Sequence, residues 1–128
     1  MRVTVKETEI EFQGLASEFS TLARTIKKSK AGDIHAVNLS EVNDLPNSRS
    51  CINRIELRCS LSKISVRVIK DSVVFEFSEE NKKYLYQSLS MPNDTTVGSV
   101  FTVRAVDFEP HVLSETMDVS IHIVSVKS

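Results

Sequence analysis

With 128 residues, 41% of them hydrophobic and 26% charged, the chain is long enough for one domain with a real core and too apolar for extended disorder. Sixteen basic residues against seventeen acidic ones leave a net charge of −1, without the basic excess of a dedicated nucleic-acid binder. No apolar run approaches the roughly 20 residues of a membrane span, and "MRVTVKETEI" carries acids where a secretory leader needs an apolar core, so a cytoplasmic protein is expected, free of membrane and of nucleic acid.

In chain order, residues 2–12 alternate. Val3, Val5, Ile10 and Phe12 point one way, and Thr4, Lys6, Glu9 and Glu11 the other, with a turn near Glu7-Thr8. This is the period-2 pattern of half-buried strands. From Leu15 the period changes: Leu15, Phe19, Leu22, Ala23 and Ile26 form one helical stripe, capped by Gly14 and followed by Gly32. Lys27, Lys28 and Lys30 close that helix, where cations suit the negative end of its dipole. "IHAVNL" (34–39) suits a strand, "SEVNDLPNSRS" a loop, and "INRIELRC" a second strand with Ile55, Leu57 and Cys59 inward.

The same order then returns. Ile64, Val66 and Val68 alternate, Lys70-Asp71 turns, and Val73, Phe75 and Phe77 alternate again. Ser78 is placed to cap a helix starting at Glu79, with Tyr84, Leu85, Ser88 and Leu89 on one face and Pro92 as its stop. "VFTVRAVDF" reads as a strand, "EPHVLSETM" as a connection and "DVSIHIVSV" as the last strand. "VKETEIEF" and "IKDSVVFEF" open the two stretches alike, and Gly32–Ser60 lies without a gap against Gly98–Val126. The expectation is an α+β domain spanning 1–128, an internal duplication of a ββαββ unit with pseudo-repeats 1–60 and 63–126. Its helices cover one face of an antiparallel sheet of about eight strands. The other face carries Lys6, Glu9, Glu11, Glu56, Arg58, Arg67, Glu76 and His122 and is expected to be wet.

Chemistry-bearing motifs are sparse. Cys51 and Cys59, eight residues apart, lack C-x-x-C spacing and read as reduced, structural residues. His35, His111 and His122 lie outside any metal-ligating pattern, and three glycines leave no phosphate-cradling loop. No metal site, cofactor or catalytic residue is therefore expected, although a pocket near His35 or His111 would allow a small-molecule-binding domain or a hydrolase-like enzyme. Recognition residues concentrate in polar loops. The two loops that correspond in the repeat carry acids, Glu41 and Asp44 in one, Asp107 and Glu109 in the other, with His111 and Glu115 beside them. Acids on a near-neutral scaffold suit a basic protein partner.

"GSVFTVRAVDF" followed by "LSETMDVSIHIV" resembles the C-terminal pattern of small immunity proteins of bacterial polymorphic-toxin and contact-dependent inhibition systems. Leu113, Ser114, Val119 and Ile121 carry the likeness, with two extra residues after the serine, and "LPNSRSCINRIEL" repeats it in the first unit. The resemblance implies a non-enzymatic cytoplasmic inhibitor that binds a cognate toxin domain, often a nuclease, and blocks its active site or substrate path. Partner binding by Glu41, Asp44, Asp107, Glu109, His111 and Glu115 is the matching expectation.

Overall fold

The alternating stretches form strands and the stretches with three- and four-residue spacing form helices, in the expected order. A computed structural model describes residues 1–39, 52–92, 95–112 and 116–124. Its elements are β1 (Arg2–Val5), β2 (Glu9–Gly14), α1 (Ala16–Lys28), β3 (Ile34–Asn38), β4 (Arg54–Cys59), β5 (Ser65–Ile69), β6 (Ser72–Phe77), α2 (Lys82–Leu89), β7 (Val100–Val103), a short 3-10 helix (Ala105–Phe108) and β8 (Asp118–Ile123). The class is α+β.

The single antiparallel sheet does not form. The strands make two separate four-stranded sheets, β1-β2-β8-β7 and β3-β4-β6-β5. Each takes one hairpin from each half of the chain, and the hairpins meet through parallel pairs, β2 with β8 and β4 with β6. The reason is that alternation and short turns fix a hairpin locally, whereas the neighbour of that hairpin is chosen by tertiary packing. Here each inner strand takes a partner from the other half.

One sheet maps onto the other. Val3 opposes Phe12 as Val66 opposes Phe75, and Phe101 opposes Ile121 as His35 opposes Leu57. The last correspondence moves the ungapped alignment by two residues. β4 matches β8, so Leu57 answers to Ile121 and Arg58, rather than Glu56, answers to His122; the connection before β8 is shorter by that amount. Phe12 and Phe75, equivalent in the two halves, meet across the sheets with ring centroids 5.9 Å apart and tilted by 53°. Edge-on contact of this kind adds about 0.5–1.5 kcal/mol to the area the rings bury.

The helices close the core. α1 buries Phe19, Leu22, Ala23 and Ile26, α2 buries Leu85 and Leu89, and both stripes join the apolar faces of the two sheets in one cluster. Leu15 stands at the N-cap of α1 with Gly14 before it, and the Glu18 carboxylate accepts the Leu15 N–H at 2.8 Å. α2 begins one turn later than Ser78 suggests. Ser78 and Asn81 instead bond reciprocally, Ser78 N–H to Asn81 Oδ1 at 2.7 Å and Asn81 N–H to Ser78 Oγ at 3.2 Å, and hold a turn ahead of the helix. Gly32 and Gly98 take positive φ (97° and 91°), and each donates its N–H at 2.8 Å to the last residue of the neighbouring strand, Cys59 or Ile123. A side chain would strain both positions.

"VFTVRAVDF" is a strand only as far as Val103. Ala105 N–H then bonds Asp118 Oδ1 at 2.8 Å, the chain coils into the 3-10 helix, and Phe108 turns into the core. Among the described residues, no helix is long and apolar enough to cross a membrane.

Candidate functional site

The outer faces of the two sheets carry their charges in pairs. On the first sheet the Glu11 carboxylate binds Lys6 Nζ at 2.9 Å and lies 3.7 Å from His122 Nε2. The Lys6 hydrogen bond holds the Glu11 carboxyl below its ordinary range and raises the lysine in return. On the second sheet Arg54 and Arg58 both donate to Glu56, and Arg67 donates to Glu76 at 3.1 Å. Glu56 was expected to be wet; it is buried, because the two arginines on its own strand flank and pair with it. These pairs account for most of the mixed face.

One constellation looks catalytic. Ser120 Oγ lies 3.0 Å from His122 Nε2, with Glu11 on the same ring nitrogen. A nucleophile–base–orienter relay needs the serine and the carboxylate on opposite ring nitrogens. The arrangement instead reads as a polar cluster on a sheet face, and its sequence signal was the S-x-H spacing of a strand. Among the described residues, no group of three or more His, Cys, Asp and Glu is placed to hold a metal ion.

Of the six expected partner-binding residues, Glu41, Asp44 and Glu115 lie outside the described residues. Asp107 and Glu109 are exposed, in and just after the 3-10 helix that follows β7. His111 is exposed too. Its ring stacks on Tyr84, with centroids 4.9 Å apart and planes 17° apart, and its backbone carbonyl accepts the Ile64 N–H at 2.7 Å. His111 and Tyr84 line an open depression of about 400 Å³ with Lys63, Glu80, Asn81 and Lys83. His35 lies elsewhere, on β3 at the opposite edge of the second sheet, 3.9 Å from Asp33. Of the two histidines offered as alternatives for a pocket, His111 lines this depression and His35 does not.

The unexpected feature is apolar. Among the described residues β7 is an edge strand, paired only with β8. Val100 is 55% exposed and Phe101 41%, and Val97, Val106 and Val124 beside them are exposed as well. The Gly98 N–H to Ile123 and Ile123 N–H to Ser99 bonds bring Val97 and Val124 to the same end of the strand. Asp107 and Glu109 stand at the other end. Val100 lies opposite His122 and Phe101 opposite Ile121, so the two side chains stand on opposite faces and form a strip only along the edge of β7. Exposed apolar side chains gathered in this way mark an interaction surface. "VFTV" gave no sign of it, because alternation cannot tell an inner strand from an edge.

Comparison of the chain with protein-family models, with curated proteins and with solved structures finds no match.

Proposed function

We propose that the protein is a non-catalytic inhibitor of the immunity type, which binds a cognate toxin domain in the bacterial cytoplasm. The observation that carries this reading is the apolar strip along β7, with Val100 and Phe101 at 55% and 41% exposure and the acids Asp107 and Glu109 beside it. Apolar side chains supply contact area, and acids at the rim steer a basic partner and fix its register. A toxin domain that handles nucleic acid offers a basic surface of this kind.

The test is co-expression with the toxic C-terminal domain encoded immediately upstream. The reading expects a one-to-one complex of nanomolar affinity that abolishes toxicity. Absence of any complex at low salt, where charge-driven association is strongest, counts against it.

A second reading has one observation in its favour. The depression at Tyr84 and His111 is large enough for a small ligand, with Lys63 and Lys83 on its walls. A ligand screened by thermal shift, whose stabilisation disappears in His111→Ala, would move the assignment there.

A further inference from the structure

Among the described residues two of the sheet edges, β5 and β7, differ in how they are covered. β5 is covered by the chain itself. Ile64, just ahead of β5, forms a parallel bridge with Val112, and its N–H bonds the His111 carbonyl at 2.7 Å. Met117 N–H bonds the Val66 carbonyl at 3.1 Å, and the Thr116 hydroxyl bonds the Ile64 carbonyl at 3.2 Å. His111, Val112, Thr116 and Met117 are thus bonded along that edge. β7 has no such cover among the described residues. Ser99 turns its carbonyl towards Ile123. Strand alternation then turns the N–H and C=O groups of Val100 and Thr102 outwards. Val100–Val103 contains no lysine or proline, and the bulge at Gly98-Ser99, where both residues face Ile123, lies at the start of the strand and leaves Val100 and Thr102 beyond it.

We propose that the β7 edge is completed by an extended strand of the protein partner, flanked by basic residues and added to the first sheet through backbone hydrogen bonds. This rests on the partner-binding reading above and specifies how it is achieved. Backbone bonding to Val100 and Thr102 supplies affinity, and alternate side chains pack on Val100 and Phe101. Charge selects the occupant. Between Val97 and Glu109 the chain carries Arg104 against Asp107 and Glu109, a net negative stretch. The incoming strand must therefore bring cations to that end. A second copy could offer β3 or β7, which contain no lysine or arginine, or β1, which contains Arg2 and is followed by Lys6; pairing of β1 with β7 between copies is therefore an outcome the test must separate.

The test uses the full chain, isotopically labelled for NMR, and a short capped peptide, Lys-Thr-Val-Thr-Val-Lys, titrated to about 1 mM, the scale of a weak strand contact. The expected result is slowed exchange of the Val100 and Thr102 amides and cross-strand NOEs to β7. Thr102→Pro removes an outward donor and should weaken binding at least about tenfold. Asp107→Lys, on an exposed side chain, should weaken it severalfold and flatten its salt dependence while the spectrum stays folded. No perturbation of β7, perturbation confined to the Tyr84–His111 depression, or a β7-mediated dimer of the free protein would each overturn the proposal. Failure here is separable from failure of the inhibitor reading. If the toxin domain binds and Val100→Lys abolishes binding while Thr102→Pro does not, the strip binds through side chains alone and strand addition falls.

Discussion

β5 and β7 occupy outer positions in sheets that map onto one another, yet one edge is closed and the other open. At β5 the chain sets the Ile64–Val112 bridge and the bonds of His111, Thr116 and Met117 along the edge. Ile64, Ser65 and Val66 are consequently buried. At β7 the described residues leave Val100 and Phe101 in solvent, and β3, the strand equivalent to β7, leaves Ile34 at 62% exposure. Among the described residues the fold thus covers one edge with its own chain and leaves another, uncharged within its strand, without cover. Exposed edges are a hazard that soluble proteins ordinarily manage.

The comparison can be broken most severely from the closed side. Ile64→Ala removes a fully buried side chain under the covering segment and should cost about 2–5 kcal/mol. Val100→Ala, at the open edge, should stay within about 0.5 kcal/mol. Parallel urea denaturation of the two variants checks the difference, and equal losses would mean that β7 is not free. Next in size is partner binding. Val100→Lys should reduce capture of the toxin domain at least about tenfold, as expected for a central apolar contact. Its melting temperature should stay close to that of the parent. A smaller effect is expected at Thr116→Val, which deletes one hydrogen bond of the cover and should cost about 1 kcal/mol. Amide exchange of Met117 should quicken with it.

The smallest effect is one of pH and lies away from both edges. Glu11 titrates below its ordinary value because Lys6 bonds it. A depressed acid contributes stability that is present above the unfolded carboxylate value and is lost as pH falls through the folded one. Lys6→Met should therefore lower stability slightly near neutrality, where the ionised Glu11 contributes, and converge on the parent as pH falls through the Glu11 titration, as urea midpoints across that range would report.

Much of the core was legible in the residues. Val73, Phe75 and Phe77 alternate as they pack, and the Phe19–Ile26 stripe faces inward as its spacing requires. What was hidden was of one kind. Hairpins are local, but the parallel pairing of β2 with β8 and of β4 with β6 joins segments far apart in sequence. Edge status follows from that pairing, so Val100 and Phe101 could not be seen as exposed. Glu56 failed for a related reason: its burial depends on where Arg54 and Arg58 lay their side chains. At the candidate site, Asp107 and Glu109 are exposed as loop acids should be, whereas Glu41, Asp44 and Glu115 lie outside the described residues.

The most direct test is amide hydrogen exchange on the protein alone and in complex with the proposed partner, a toxin domain. The account predicts that Val100 and Thr102 exchange freely in the lone protein and become protected in the complex, while Met117 is protected in both. Unchanged exchange at β7, with new protection around Tyr84 and His111 instead, would contradict it.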